Sequence, residues 1–196
     1  MDTRTHYDLL MDEDNDPFRD PPELQTYMDQ WDGPAFLTTL NLSPDKQVLK
    51  IGVGTGRLAA RTAPLCARLT GIDLSPKTIA RARENLAGFS NIHLIGGDFL
   101  THPFDTRFDV VHSSLTLMHF EDKAAFLRKA ASLLRPGGRL VLSLDKNQSD
   151  ILDMGTRRLR IYPDTPERLL PLLGDLHLTD RFETEFAHIL ICQKDL

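Results

Sequence analysis

Apolar positions along the chain fall into short runs that alternate with segments of helical spacing. The segments between the runs carry apolar residues three and four positions apart, as amphipathic helices do. Five runs predict strands, at 47–51, 68–72, 91–95, 108–112 and 139–144. Strands that alternate with helices are typical of βαβ units, whose right-handed crossovers place helices on both faces of a parallel sheet. We therefore predict an α/β fold with a doubly wound sheet.

The helices between these runs carry boundary signals. Ser75 is suited to an N-cap and Pro76 to the first helical position, and Gly88 is placed to end that helix. Residues 121–134 predict an amphipathic helix, which Arg-Pro-Gly-Gly at 135–138 should stop before the fifth strand. These signals support the alternation of strands and helices.

The end of the chain departs from this alternation. A short helix is predicted at 165–173, and two apolar runs follow at 178–184 and 186–193 with no helix between them. Because adjacent strands without a crossover pair antiparallel, these runs predict a hairpin at the sheet edge.

The beginning of the chain is acidic and rich in proline. It carries the run Asp12–Asp16, which predicts a solvated, mobile segment, and then short helical pieces at 23–30 and 34–40. We predict that residues 1–44 form a helical extension that packs over the site of a domain at 45–196.

Composition narrows the function classes. The chain has 196 residues, 41% hydrophobic and 26% charged, with a net charge of −5, which suits one domain. This acidic balance gives no reason to expect nucleic-acid or anionic-membrane binding. The sequence has no apolar stretch of membrane-spanning length and no signal peptide, so we expect a cytoplasmic protein. Cys66 and Cys192 alone make neither a disulfide framework nor a four-cysteine zinc site.

The chemistry-bearing pattern is a glycine loop followed by two carboxylates. Gly52-Val53-Gly54-Thr55-Gly56 lies between the first strand and a helix, so a ligand can approach backbone amides there. Asp73 ends the second strand and Asp98 follows the third. In nucleotide-binding α/β folds, a carboxylate at the end of the second strand accepts hydrogen bonds from ribose hydroxyls. We therefore predict a nucleotide-type site at the carboxyl edge of the sheet.

Together with FDVVHSSLTLMHF at 108–120 and LLRPGGRLVLSL at 133–144, these residues resemble the class I S-adenosylmethionine-dependent methyltransferases. The resemblance covers about residues 47–193. It implies a Rossmann-like, seven-stranded sheet of order 3-2-1-4-5-7-6 in which strand 7 is antiparallel. It also implies S-adenosylmethionine as cofactor, S-adenosylhomocysteine as product, and no metal.

The resemblance also assigns cofactor contacts. The loop glycines would line the methionine and ribose, Asp73 would hold the ribose hydroxyls, and Asp98 would face the adenine amino group. The residues expected to bind the cofactor are Lys50, Ile51, Gly52, Val53, Gly54, Thr55, Gly56, Asp73, Leu74, Asp98, Phe99 and Ser113.

Lys50 departs from the family pattern. The family usually carries Asp or Glu two residues before the first loop glycine, where it helps to hold the amino group of the cofactor. A lysine there would repel that amino group, reach the cofactor carboxylate instead, or extend from the strand end into solvent. From the sequence we expect Lys50→Glu to tighten cofactor binding.

The sequence defines the residues that would bind the methyl acceptor less closely than those that would bind the cofactor. His119 follows the fourth strand and is a candidate general base for a hydroxyl or amine acceptor, or else a structural residue. Tyr7, Met28 and Trp31 are candidates for the substrate pocket, with packing as the alternative for Trp31. A basic cluster forms either a solvated face or a clamp for an anionic acceptor, and comprises Lys146, Arg157, Arg158 and Arg160.

The sequence therefore predicts a methyltransferase that acts on an O, N, S or C atom of a small molecule. A non-catalytic S-adenosylmethionine-binding module is the alternative. A nicotinamide-dependent oxidoreductase is disfavoured, because Arg57 stands where its Gly-x-Gly-x-x-Gly fingerprint needs a small residue. We expect neither a nucleic-acid nor a membrane partner, and both a monomer and a homodimer stay open.

Overall fold

The computed structural model describes all 196 residues, which form nine strands, seven α-helices and three short 3₁₀ helices. The strands are β1 (Gln47–Ile51), β2 (Arg68–Asp73), β3 (Ile92–Gly96), β4 (Phe108–Ser114), β5 (Leu134–Asp145), β6 (Ile151–Asp153), β7 (Arg158–Arg160), β8 (Leu176–Glu183) and β9 (Ala187–Lys194). The α-helices are α1 (Thr3–Asp12), α2 (Pro22–Asp32), α3 (Pro34–Thr39), α4 (Arg57–Thr62), α5 (Pro76–Asn85), α6 (Lys123–Leu133) and α7 (Pro166–Leu169). The 3₁₀ helices are Ala63–Leu65, Leu117–His119 and Leu170–Leu172.

Seven strands form one sheet in the order β3-β2-β1-β4-β5-β9-β8. Strands β1 to β5 are parallel, and β9 is antiparallel to both of its neighbours. Strands β8 and β9 are thus the sixth and seventh strands of the predicted pattern, which is confirmed. The chain leaves β1 first toward β2 and later returns to β4 on its other side. That reversal places a crevice at the carboxyl ends of these strands.

A separate apolar cluster covers each face of the sheet. Leu49 and Ile51 belong to the cluster that includes Phe126 of α6, whereas Val48 belongs to the one that includes Phe36 of α3. Neighbouring residues of a strand point to opposite faces, so β1 contributes to both clusters. Because Phe36 is fully buried, α3 is part of the core on its face. The division of the chain at residue 44 stays a prediction.

The structure contains a helix and a hairpin that the sequence did not predict. Helix α1 begins at an N-cap, Asp2, whose side chain accepts from the amide N–H of Thr5. Strands β6 and β7 pair antiparallel with three residues each. Elements this short have little intrinsic stability and depend on contacts with the rest of the chain.

Strand β5 begins earlier than predicted. It includes Leu134, which was predicted to end the helix, and residues 135–138, which were predicted to stop that helix before the strand. The pairing of β4 with β5 shifts register between Phe108 and Val110, and Gly137 adopts a positive φ of 70°. Because of this irregularity, Arg-Pro-Gly-Gly lies within strand β5 and does not form a separate turn before it.

Ion pairs connect the acidic run to α5, although Asp12 and Asp14 are exposed, as expected of a solvated segment. Asp12 lies 2.6 Å from the Lys77 ammonium, and Arg81 lies 2.9 Å from Asp14 and 3.2 Å from Asp16. Both basic residues belong to α5, so opposite charges hold the end of α1 and the following turn against that helix.

The predicted basic cluster is likewise paired. Lys146 pairs with a carboxylate of β8, Arg157 with the residue that caps α1, and Arg158 with one of β6. Arg160 lies over the ring of Tyr162 at 5.4 Å. Because each of these four residues has a different partner, they do not form a common clamp for an anionic acceptor.

Both cysteines are buried free thiols, and none of the helices has the length and apolar character needed to cross a membrane.

Candidate functional site

A cavity of about 370 Å³ lies at the carboxyl ends of β1 to β4. The structure brings ten of the predicted site residues into its wall, namely Tyr7, Met28, Ile51, Gly52, Gly54, Asp73, Leu74, Asp98, Phe99 and His119. It places six others outside the wall, namely Trp31, Lys50, Val53, Thr55, Gly56 and Ser113. The lining residues that sequence reasoning missed include Ser114, Leu115, Thr116 and Phe120.

The glycine loop shapes one side of this cavity. Gly52 has a φ of 66°, and a Cβ there would stand 2.1 Å from Oγ1 of Thr116. Gly54 has a φ of 59°, but a Cβ there would meet nothing within 4 Å. Both positions need the left-handed backbone that glycine adopts without strain. The first glycine makes room for the β4 loop, and the second leaves open space.

Asp73 joins the loop to the end of β2. Its carboxylate accepts from the amide N–H of Gly54 at 3.0 Å and of Ser75 at 3.1 Å. Burial raises the pKa of this carboxyl group, and the two amide hydrogen bonds oppose that rise. Asp73 thus holds the glycine loop against β2 while its side chain lines the cavity.

The loop after β3 forms the opposite wall. Asp98 accepts from the amide N–H of Leu100 at 2.8 Å, which fixes its carboxylate at this edge. Phe99 packs its ring 5.1 Å from that of Phe126 in the core. An apolar wall beside a fixed carboxylate suits a flat heterocycle with a polar edge.

Tyr7 and His119 meet at the wall nearest α1. The phenol oxygen of Tyr7 lies 2.8 Å from Nε2 of His119, and Nδ1 of His119 is buried without a partner. Burial lowers the pKa of His119 to about 4, with help from His6 and Lys123, and burial raises that of Tyr7. Both rings are therefore neutral near pH 7.

Lys50 does not extend into solvent, so that reading of the sequence was wrong. Its side chain is 2% exposed, and its ammonium donates to the carbonyl of Ile51 at 3.1 Å. Burial lowers its pKa to about 8, although the carboxylates of Asp32 and Asp73 oppose this. A glutamate at this position would add a third buried carboxylate, which removes the argument for tighter binding by Lys50→Glu.

Ser113 and Trp31 lie behind the wall. The hydroxyl of Ser113 donates to the carbonyl of Ile51 at 3.4 Å, and its neighbour Ser114 lines the cavity instead. Trp31 packs on Phe186 with ring centroids 4.6 Å apart. The structure therefore agrees with the packing alternative for Trp31.

A buried ion pair behind the cavity was missed in the sequence. Asp32 is 2% exposed, pairs with the Arg57 guanidinium, and accepts from the hydroxyl of Ser114 at 2.6 Å. Arg57 also lies 3.2 Å from Asp29. The sequence signal for this ion pair was Arg57, which begins a helix directly after the glycine loop. A charged side chain that is buried there needs a partner of opposite charge.

The structure contains no group of three or more His, Cys, Asp or Glu side chains arranged to hold a metal ion.

Comparison with known proteins agrees with this geometry. A family model described as a methyltransferase domain matches residues 49–142, from β1 through most of β5. These residues, just under half of the chain, are similar to a methyltransferase domain. The resemblance drawn from the glycine loop is thereby confirmed, and the matched part of the domain includes the loop, Asp73, Asp98 and His119.

Curated relatives match over part of their length. A demethylmenaquinone methyltransferase of Tropheryma whipplei is 38% identical over 106 residues, which are 53% of this chain and 43% of that protein. Nodulation protein S of Sinorhizobium fredii is 32% identical over 114 residues, 56% of this chain and 53% of that protein. The chain thus spans about half the length of the curated relatives it matches.

Solved structures share the fold of most of the chain. The N-methyltransferase NodS from Bradyrhizobium japonicum, in complex with S-adenosylhomocysteine, has a TM-score of 0.69 and 22% identity, and the match covers 90% of both chains. Magnesium protoporphyrin IX methyltransferase from Synechocystis, with bound S-adenosylmethionine, has a TM-score of 0.65 and 22% identity, over 82% of this chain and 76% of that one.

Proposed function

We propose that this chain is an S-adenosylmethionine-dependent methyltransferase that acts on a small molecule and releases S-adenosylhomocysteine. The observation that carries the proposal is the cavity beside the glycine loop, where Gly54 leaves open space and Asp73 presents a buried carboxylate. The methyltransferases among its relatives, and the neighbouring structures that hold the two adenosyl compounds, support the same assignment.

The residues of the cavity fit the chemistry of this cofactor. Asp73 can accept hydrogen bonds from two ribose hydroxyls, as carboxylates at the end of a second strand do in nucleotide-binding folds. Leu74 and Phe99 offer apolar surface for the adenine, and Asp98 offers an acceptor for its amino group. Gly52 and Gly54 let the chain of the cofactor approach the backbone.

S-adenosylmethionine supplies an activated methyl group, so the chain needs to position the acceptor and exclude water. Ile51, Leu115 and Phe120 give the cavity an apolar wall. The Tyr7–His119 pair can offer a hydrogen bond without adding charge, whichever of the two donates to the other. A neutral pair does not repel the sulfonium cation, and it favours an uncharged acceptor.

The size of the cavity also limits the acceptor. At about 370 Å³ it lies near the lower end of small-molecule sites, and the cofactor itself needs much of that volume. The acceptor is therefore a small molecule, or the methylated part of a larger one that enters beside α1. Predicted pocket residues Tyr7 and Met28 lie in the wall at this side, from α1 and α2.

Calorimetric titration with S-adenosylmethionine, S-adenosylhomocysteine and NAD tests the proposal. We expect binding of the first two in the micromolar range and none of NAD. A panel of hydroxyl, amine and thiol acceptors, followed by release of S-adenosylhomocysteine, then tests transfer. Absence of adenosyl binding would refute the cofactor assignment. Binding without turnover across the panel would favour the non-catalytic module.

A further inference from the structure

We propose that Lys50 and Asp32 are positioning residues that orient the amino-acid end of the cofactor, with its carboxylate toward Lys50 and its ammonium toward the Ser114–Asp32 pair. This inference rests on the proposed function. It reverses the usual arrangement at this loop, in which the residue at the position of Lys50 is acidic and faces the ammonium.

The first observation is the incomplete bonding of Lys50. The side chain is 2% exposed, and its ammonium has one hydrogen-bond partner, the carbonyl of Ile51. An ammonium group carries three N–H donors, and a buried cation is costly unless it is paired. No carboxylate forms an ion pair with Lys50. The cation therefore has unused capacity to bind an anion at the end of β1, beside Ile51, which lines the cavity although Lys50 itself does not.

The neighbouring strand offers Lys50 no anion either. In the pairing of β1 with β4, Lys50 is the partner of His112, whose side chain is fully buried and whose two ring nitrogens have no hydrogen-bond partner. The pKa of His112 lies well below its ordinary value, through burial and then through Lys50. The imidazole is therefore neutral and supplies no charge to pair with Lys50.

The second buried cation is already neutralised. Arg57 lies between two carboxylates, those of Asp29 and Asp32. Asp29 in turn lies 2.5 Å from Arg61. These four residues balance one another, two positive and two negative, so Asp32 is not a partner of Lys50 alone.

Asp73 favours the charged form of Lys50 but forms no ion pair with it. Its carboxylate accepts instead from the amides of Gly54 and Ser75. A ligand carboxylate would give Lys50 a direct anionic partner.

Ser114 offers a hydrogen-bond acceptor for a cation on the adjacent part of the wall, whereas Lys50 offers donors for an anion. Its hydroxyl hydrogen is directed at Asp32, so the oxygen presents lone pairs to the cavity that it lines. A hydroxyl that donates to a buried carboxylate is a stronger acceptor for a cation, because hydrogen bonds in a chain polarise one another. Ser114 can therefore bind an ammonium group on behalf of Asp32.

The test compares S-adenosylhomocysteine with 5′-methylthioadenosine, which has the same nucleoside thioether but no amino-acid group. In Lys50→Met, we expect the affinity for S-adenosylhomocysteine to fall about tenfold or more, while that for methylthioadenosine is unchanged. Asp32→Asn should show the same selectivity. Asp29→Asn is the matched control, since Asp29 belongs to the same network but does not contact Ser114, and it should leave the ratio of the two affinities unchanged.

A third ligand distinguishes binding of the cofactor carboxylate from binding of its ammonium group. Decarboxylated S-adenosylhomocysteine keeps the ammonium and lacks the carboxylate, so Lys50→Met should not weaken its binding. Equal losses for all ligands in Lys50→Met would overturn the proposal, because Lys50 would then be a structural residue. Tighter binding of S-adenosylhomocysteine would overturn it too, because Lys50 would then repel the ammonium.

The unaltered protein provides a measurement that does not depend on folding of the variants. Lys50 is about half protonated at pH 8, given its pKa and the surrounding Asp32, Arg57, Asp73 and His112. Binding of a carboxylate should then take up as much as about half a proton, measured by calorimetry in two buffers of different ionisation enthalpy. Methylthioadenosine should take up none. Equal uptake with both ligands would refute the inference, whereas binding of neither would refute the proposed function instead.

Discussion

Replacement of Asp32 by alanine tests the buried ion pair directly. In the folded protein the Asp32 carboxylate pairs with Arg57 and accepts from Ser114 at 2.6 Å, with 2% of the residue exposed. Asp32→Ala leaves the guanidinium with Asp29 alone and the Ser114 hydroxyl without its acceptor. It also removes the carboxylate that most favours the charged form of Lys50. Three buried polar groups thus lose stabilisation together.

Breaking one partner of a buried ion pair costs about 3–5 kcal/mol of unfolding free energy, because the other charge stays buried. Asp29→Ala is the matched control. Its side chain is 24% exposed, and Arg57 would keep its pairing with Asp32. Arg61 would lose its ion pair with Asp29, but its side chain is 29% exposed, so we expect a loss of about 1 kcal/mol. Urea unfolding, followed by circular dichroism, measures both losses, provided that the slope with denaturant is unchanged.

The double variant Asp32→Leu with Arg57→Met gives a further check. Replacement of a buried pair by apolar side chains of similar size is often nearly neutral, so the double variant should lose less stability than the two single variants added together. The reasoning is refuted if Asp32→Ala costs no more than Asp29→Ala, since the carboxylate would then be effectively solvated.

Three other predictions concern the cavity. Asp73→Asn should weaken S-adenosylhomocysteine binding by about 1.5–3 kcal/mol, measured by calorimetry, because charge-assisted hydrogen bonds to the ribose are lost, and unchanged affinity would contradict the site. Gly52→Ala should unfold at markedly lower urea than Gly54→Ala, because its Cβ would stand 2.1 Å from a side-chain oxygen whereas that of Gly54 meets nothing. Gly54→Ala should instead lower cofactor affinity, and equal stability of the two variants would argue against the loop geometry. His119 has a pKa of about 4 in the folded protein and an ordinary value of 6.5, so the unfolded chain binds more protons between these values. Stability should therefore fall as the pH drops from 6.5 to 4, less steeply in His119→Gln, and an equal slope in both proteins would contradict the burial of His119.

The sequence was sufficient to predict the sheet and the residues that line the half of the cavity near β1 to β3. Five apolar runs predicted the parallel strands because four of them are buried on at least one face and β3 is partly buried. The loop residues Gly52 and Gly54 and the carboxylates Asp73 and Asp98 could be found because they follow strand ends, whose carboxyl edges coincide in a parallel sheet. These are local signals whose meaning does not depend on distant parts of the chain.

The remainder of the site depends on contacts between distant residues. Lys50 was expected to reach solvent, but the segment that contains Asp32 covers this end of the strand. The pairing of Arg57 with a residue 25 positions earlier leaves no periodic pattern in the sequence. The same holds for the contact of Tyr7 with His119, 112 positions apart. Burial and pairing of this kind are properties of the tertiary structure.

The position of β9 in the sheet has a consequence for synthesis on the ribosome. It lies between β5 and β8, although it follows β8 in the chain. The strand β8 is therefore made before the neighbour to which it pairs, and the edge of β5 stays open meanwhile. Val141 and Leu142, which are fully buried in the finished protein, lie along that edge. Open apolar edges pair readily with other chains, so the nascent protein passes through an aggregation-prone stage that ends when β9 inserts.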